Sequence, residues 1–155
     1  MINRILSLTI LIILSASINK NKFINELERE IPYLKNLYLD IHQNPEISLM
    51  EKVTAQKLAN ELKKVGYTVT ENFGGYGIVG ILKNGDGPTI LYRTDLDALP
   101  MEEKTGLPYA SKVKTRNFDG NEVGTMHSCG HDMHMAVWTG TARALAKRKN
   151  EWSGT

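Results

Sequence analysis

Cysteine is scarce in this sequence, which holds a single one, Cys129, among 155 residues. One cysteine cannot form an internal disulfide, so a fold stabilised by internal disulfides is excluded. Charge of one sign is not in excess either, because 19 Lys and Arg stand against 17 Asp and Glu, for a net charge of +2. No nucleic-acid partner is therefore expected. The 41% apolar and 23% charged residues are typical of a globular protein with a core.

Hydrophobic runs are short as well. Residues 5–14 form a mostly apolar stretch, about half of the roughly 20 residues that a membrane-spanning helix needs. Arg4 precedes this stretch and the small residues 15–17 follow it, which is the order of a secretory signal peptide. We predict a signal peptide over residues 1–17, a mature domain over residues 18–155, no stable membrane span, and a secreted or periplasmic location. The alternatives are a short membrane anchor or a buried helix.

The rest of the chain alternates between helical and strand-like patterns. In chain order the segments are helices over 22–43 and after 48, strands at 67–70, 77–82 and 89–93, an exposed excursion over 101–125, and a helix over about 132–145. Pro32 predicts a start or kink of the first helix, Ser48 and Glu51 predict a capping box for the second, and the apolar third strand is expected in a buried sheet position. This order indicates an α/β fold, a mixed sheet flanked by helices.

Three of the four histidines, His127, His131 and His134, fall within eight residues around Cys129. Residues two apart lie on the same side of an extended chain, so the Cys129 thiolate and the His131 imidazole can converge. These groups are ligands for zinc and similar metals, which favours a metal site. The alternative is a buried cysteine beside a helix cap, with histidines that satisfy local hydrogen bonds. A cysteine nucleophile is less favoured, because residues two apart rarely align thiol and imidazole.

Two carboxylates, Asp95 and Asp97, directly follow the third predicted strand. Sites in α/β sheets gather at the carboxyl ends of strands, so one carboxylate could bind a metal and the other could orient a metal-bound histidine. The alternative is a solvated turn, where Asp is common. Glu102 and Glu103 are the nearest candidates for a general base, but they begin the excursion and are predicted to be solvated. His42 lies at a helix end, where the helix dipole alone favours a histidine.

Four ordered motifs resemble one family of hydrolases. They cover residues 41–46, 92–100, 105–111 and 124–134, and the resemblance extends over about residues 30–149. The sequence resembles the M20 peptidase family of amidohydrolases, in the subgroup of hippurate hydrolases, N-acyl-amino-acid deacylases and auxin-conjugate hydrolases. This resemblance implies a zinc-peptidase-like α/β catalytic domain with an inserted smaller domain that often dimerises. It also implies two divalent metal ions (zinc, manganese or nickel) and hydrolysis of the amide bond of a small N-acyl amino acid or similar conjugate.

The resemblance also implies roles for individual residues. Cys129 and His131 match the family's cysteine and histidine metal ligands. Asp97 matches the catalytic-site acid that orients a ligand in related peptidases. Asp95 stands where those relatives carry a ligand histidine, and it completes the candidate ligand set.

Family members continue beyond the length of this sequence, with a Glu-Glu pair that supplies the general base and with further histidine ligands. The resemblance therefore leads us to expect an N-terminal, truncated part of the catalytic domain, without the dimerisation domain. We expect it to bind metal weakly and to hydrolyse little or nothing. The alternatives are a non-catalytic metal-binding fragment or pseudo-enzyme, and a secreted structural domain, which the clustered histidines disfavour.

Overall fold

The structure of the protein, a computed structural model, describes residues 22–155, and the helix that leads into them starts at Ile2. The predicted signal peptide, residues 1–17, lies outside these described residues. The chain divides into two units, Met1–Tyr33 and Leu34–Thr155, and every candidate site residue belongs to the second. None of the helices in the described residues is long and apolar enough to cross a membrane.

Helix α1 spans Ile2–Gln43 and contains Pro32 in its interior. The predicted helix start at Pro32 is therefore wrong. A proline removes one backbone hydrogen bond from a helix, and a helix of this length retains many others on both sides of it.

Helix α2 spans Lys52–Lys64, so it begins after the predicted capping box at Ser48. That prediction is wrong because Ser48 lies in a separate turn that precedes the helix. The side chain of Glu46 instead accepts hydrogen bonds from backbone N–H groups in the first turn of α2. Its two carboxylate oxygens accept hydrogen bonds from the N–H groups of Val53, at 3.1 Å, and Thr54, at 2.7 Å.

Two small antiparallel sheets and a third helix complete the fold. The strands are β1 (Thr68–Thr70), β2 (Val79–Ile81), β3 (Lys114–Arg116) and β4 (Glu122–Gly124). β1 pairs with β2, and β3 pairs with β4 in a hairpin inside the predicted excursion. Helix α3 spans His131–Lys147, and a short 3-10 helix, Lys149–Glu151, follows it. The α/β fold class is confirmed.

The predicted third strand, residues 89–93, does not form a strand. Ile90 and Leu91 are 77% and 88% exposed, so the expected burial of this segment is wrong. Thr155 exchanges backbone hydrogen bonds with Pro88 and Ile90 only. A strand needs a hydrogen-bonded neighbour along its whole length, and the described residues supply none for the rest of this segment.

The three helices share one core. Leu37 and Ile41, one turn apart on α1, are buried together with Leu58 of α2 and Met135 of α3. Leu96 packs against this cluster from the segment that precedes the hairpin. The core therefore brings the end of α1, the start of α3 and the segment around Leu96 close together, and the candidate site residues lie at these three places.

Candidate metal centre

His131, the first residue of α3, lies against the two carboxylates that were predicted to accompany it. Its Nδ1 is 2.9 Å from the carbonyl oxygen of Asp97 and 3.2 Å from Asp97 Oδ1. Its Nε2 is 3.8 Å from Asp95 Oδ2. Leu96, between the two acids, turns into the core while both acids face His131. The structure thus brings Asp95, Asp97 and His131 together.

These contacts decide which ring nitrogen of His131 is available to a ligand. Both partners of Nδ1 are oxygen acceptors, so Nδ1 carries the proton and donates it. Nε2 faces the side where Asp95 lies, and at 3.8 Å from Asp95 Oδ2 it is too far for a hydrogen bond. A histidine whose other nitrogen is fixed by a carboxylate or carbonyl oxygen is the usual arrangement of a metal ligand. Asp95 itself forms an ion pair with Arg93.

Cys129 and His134 lie at the surface on either side of His131. Cys129 is exposed in the turn before α3, so the alternative of a buried cysteine is wrong. Gly130 connects this turn to the helix with a φ of 78°, a left-handed conformation that glycine adopts without steric cost. The ring centroid of His134 is 5.9 Å from that of His131. Across residues 22–155, no three His, Cys, Asp or Glu side chains are already gathered as a set of metal ligands.

His127 is the buried histidine of this motif. It is 5% exposed, and both of its ring nitrogens are buried without a hydrogen-bond partner in the part of the chain that the structure describes. Burial has the largest influence and lowers the pKa of His127, while the negative charges of Asp132 and Asp97 oppose this shift only in part. The imidazole is therefore neutral at neutral pH, which is the form that binds metal ions.

A buried cluster of ionisable side chains adjoins this centre. His42, near the end of α1, has Nδ1 2.6 Å from Asp132 Oδ2 and Nε2 3.2 Å from Glu103 Oε1. The expectation that Glu103 is solvated is wrong, since its side chain is fully buried. Its burial is compensated because Thr105 Oγ1, at 2.5 Å, and the Ser111 N–H, at 2.6 Å, also donate hydrogen bonds to it. The expectation that the helix dipole alone favours His42 is also wrong, because its ring contacts the carboxylates of Asp132 and Glu103.

Opposed effects set the pKa values in this cluster. Burial lowers the pKa of His42, and its hydrogen bonds to Asp132 and Glu103 raise it by more, so the net pKa is raised. Burial raises the pKa of Glu103, and the hydrogen bonds from Thr105, Ser111 and His42 lower it by more, so the net pKa is lowered. Both ring nitrogens of His42 face carboxylate oxygens, so the imidazolium is the form in which both can donate.

Sequence comparison identifies the kind of protein that carries such a centre. Residues 91–155, which include Asp95, Asp97, Cys129 and His131, match the model of Peptidase family M20/M25/M40. The chain is a relative of the M20 peptidases. The resemblance inferred from the motifs is thereby confirmed.

Two curated relatives carry the names of a deacetylase and a hydrolase. N-acetylcysteine deacetylase of Bacillus subtilis (strain 168) is 40% identical over 124 residues, which cover 79% of this chain and 30% of that protein. Hippurate hydrolase of Campylobacter jejuni is 42% identical over 109 residues, which cover 70% of this chain and 26% of that protein. The chain thus spans less than a third of the length of these two relatives.

A solved structure shares the fold. The YxeP protein of Bacillus subtilis, described as a dinuclear metal binding peptidase of the M20 family, superposes with a TM-score of 0.68 at 38% identity. The match covers 79% of this chain and 32% of that one. The α/β fold of this chain is therefore similar to part of the fold of that M20 peptidase.

Proposed function

We propose that this protein is a metal-dependent amidohydrolase that cleaves the amide bond of N-acyl amino acids or similar conjugates. The observation that carries the proposal is the setting of His131, in which Asp97 holds one ring nitrogen and the other is left on the side of Asp95. The names of the relatives, N-acetylcysteine deacetylase and hippurate hydrolase, support small N-acyl amino acids as the substrate class.

The donor types of the residues present suit a divalent metal ion, which would have to draw their side chains together, since they are not gathered as a ligand set in the described residues. Cys129, His131 and Asp95 would hold the ion, and Asp97 would keep His131 in the tautomer that binds it. Thiolate, imidazole and carboxylate donors suit zinc, and manganese or nickel also accept the nitrogen and oxygen donors. The dinuclear metal binding of the YxeP protein supports two such ions. A bound ion would lower the pKa of a coordinated water to about 7 and polarise a substrate carbonyl.

The described residues place no free general base beside this centre. Glu103 is buried and hydrogen-bonded to His42, Thr105 and Ser111, so its carboxylate is not available to take a proton from water. Glu102 is exposed and forms an ion pair with Lys104. Little or no hydrolysis is therefore expected of these 155 residues by themselves, and weak metal binding is expected because the candidate ligands are not gathered as a set in the described residues. The same observation favours a non-catalytic metal-binding protein as the second candidate.

Metal binding is the primary test of this proposal. We expect added zinc, manganese or nickel to raise the Tm of the protein in calorimetry, because a ligand at 100 times its Kd stabilises the folded state by about 2.7 kcal/mol. The rise should be lost in Cys129→Ser and in His131→Ala. His134→Ala, which removes an exposed histidine of the same motif, should retain it. If none of the three metals raises the Tm of the unsubstituted protein, the proposal is wrong.

Hydrolysis separates the two candidate functions. Release of free amino acid from N-acetylcysteine and from hippurate should be slow or undetectable with metal present. Turnover that disappears in Cys129→Ser would establish an amidohydrolase and would contradict the expectation of weak activity. Metal binding without turnover of either compound would favour the non-catalytic candidate.

We also propose that residues 1–17 direct the protein out of the cytoplasm. The basic Arg4, the apolar residues 5–14 and the small residues 15–17 support this proposal, since they follow the order of a signal peptide. When the chain is expressed in a bacterial host, N-terminal sequencing of the exported fraction should find a new terminus near Ile18. A chain that keeps Met1 and stays in the cytoplasmic fraction would contradict it.

A further inference from the structure

We infer that His42 is a positioning residue for the candidate metal centre and that it acts on His131 through Asp132. The inference rests on the proposed function and adds to it a residue that does not itself bind the metal. His42 and Asp132 are 90 positions apart in the chain, and both are buried, at 5% and 2% exposed. A buried side-chain hydrogen bond of this kind fixes the segments that carry its two members relative to each other.

Asp132 connects the first turn of α3 to the end of α1. Its Oδ2 is 2.6 Å from Nδ1 of His42, and its Oδ1 accepts the backbone N–H of Met133 at 2.8 Å. One carboxylate oxygen therefore meets α1 and the other meets α3 itself. His131 directly precedes Asp132 and is the first residue of α3, so the placement of His131 depends on where this turn is held.

The ring of His42 is itself fixed by its surroundings. Its Nε2 lies 3.2 Å from Oε1 of the buried Glu103. The rings of Tyr38 and Tyr109 pack against it, with centroid separations of 5.6 and 5.4 Å. A side chain with partners at both ring nitrogens and with two aromatic neighbours has little freedom to move. His42 can therefore hold Asp132 at a defined position, as the supporting residues of a preorganised site do.

The segment after α1 also contacts the other half of the centre. The backbone N–H of Ala98 donates to the carbonyl oxygen of Glu46 at 2.8 Å. Asp97 directly precedes Ala98, and its carbonyl oxygen lies 2.9 Å from Nδ1 of His131. The end of α1 and the residues that follow it are thus bonded to both sides of the Asp97–His131 contact, and His42 supplies the bond on the His131 side.

The competing interpretation is that His42 stabilises the fold and has no effect on the metal centre. A variant that weakens the fold at another place separates the two interpretations. Leu62 of α2 is 1% exposed and lies beside Gly80 of β2. Leu62→Ala removes buried apolar contacts, which destabilises the fold, and it breaks no hydrogen bond of the centre. It is therefore the matched control for His42→Leu.

The experiment compares these two variants under conditions in which each is fully folded, with Co²⁺ as the probe. Both should have a lower Tm than the unsubstituted protein. Only His42→Leu should also bind Co²⁺ about tenfold or more weakly, the loss typical of residues that orient a metal ligand, as followed by visible absorption. In the metal-free protein, nuclear Overhauser contacts between the His131 ring and residues 97–98 should weaken in His42→Leu and persist in Leu62→Ala.

A second pair of variants decides the question if His42→Leu fails to fold. Asp132→Asn keeps an oxygen that accepts the N–H of Met133 and presents an amide that can donate to Nδ1 of His42. It should retain most of the Co²⁺ affinity and the His131 ring contacts. Asp132→Ala loses both bonds and should show the defect expected of His42→Leu.

Two results would overturn the inference and leave the proposed function standing. One is a Co²⁺ affinity, with His131 ring contacts, that is as well retained in His42→Leu as in Leu62→Ala. The other is an equal Co²⁺ affinity in Asp132→Asn and Asp132→Ala. An unsubstituted protein that binds no metal overturns the proposed function instead, and the metal-free contacts of the His131 ring then still report whether His42 positions it.

Discussion

We expect His42→Leu to lower the free energy of unfolding by about 3–5 kcal/mol, because it removes one partner of a buried charge pair. The variant leaves the carboxylates of Asp132 and Glu103 buried without the imidazolium that lies 2.6 and 3.2 Å from them. Urea denaturation followed by circular dichroism measures the change.

His134→Leu is the matched control, because it removes an exposed histidine and should change the free energy of unfolding by no more than about 0.5 kcal/mol. The double variant His42→Leu with Glu103→Gln should lose less than the sum of the two single variants, since the two residues share one contact. Strict additivity would show that the His42–Glu103 contact contributes little.

The effect of His42→Leu should also depend on pH. The raised pKa of His42 stabilises the fold below its ordinary value of 6.5, and this contribution is lost as the pH rises through the raised value. The lowered pKa of Glu103 stabilises the fold above its ordinary value of 4.5, and this contribution is lost as the pH falls. The stability difference between the protein and His42→Leu should therefore be largest between pH 4.5 and 6.5. A difference that grows into the alkaline range would contradict the assignment.

The stability difference between the protein and His42→Leu also distinguishes the pH effect of His42 from that of His127. The pKa of His127 is lowered, chiefly by burial, so its protonation in the unfolded chain opposes folding as the pH falls below 6.5. Both the protein and His42→Leu contain His127, so the effect of burial on its pKa is common to both, whereas the lowering that the charge of His42 adds is absent from the variant.

We expect Asp97→Ala to weaken metal binding by about 10- to 100-fold, the usual loss when the partner of a metal-binding histidine is removed. The Asp97 carbonyl remains 2.9 Å from His131 Nδ1, so the ring keeps one hydrogen bond and the variant should stay folded. Titration with zinc, followed by calorimetry, measures the affinity. Asp86→Ala, which removes an exposed acid in a turn, is the control for the loss of one negative charge. An affinity equal to that of the control would show that Asp97 does not act through His131.

Local patterns were enough to predict the M20 resemblance and the α/β class. They also predicted which segments meet at His131. Asp95 and Asp97 are two positions apart, with the apolar Leu96 between them. Such spacings are properties of neighbouring residues, and the chain keeps them in most conformations. The roles of these residues in binding metal stay predictions.

The tertiary structure alone decided the environment of the residues that local patterns misplaced. Glu103 is buried because the excursion folds back and brings donors from Thr105 and Ser111 to a carboxylate that also meets His42, 61 positions away. Residues 89–93 have an apolar, strand-like pattern, but a strand also depends on a neighbour that the pattern cannot supply. Cys129 and His127 belong to one motif, and only the packing of α3 and the Leu99–Met126 pairing leaves the first exposed and the second buried. Burial and pairing arise between residues that are distant in the chain, so a pattern of neighbours cannot determine them.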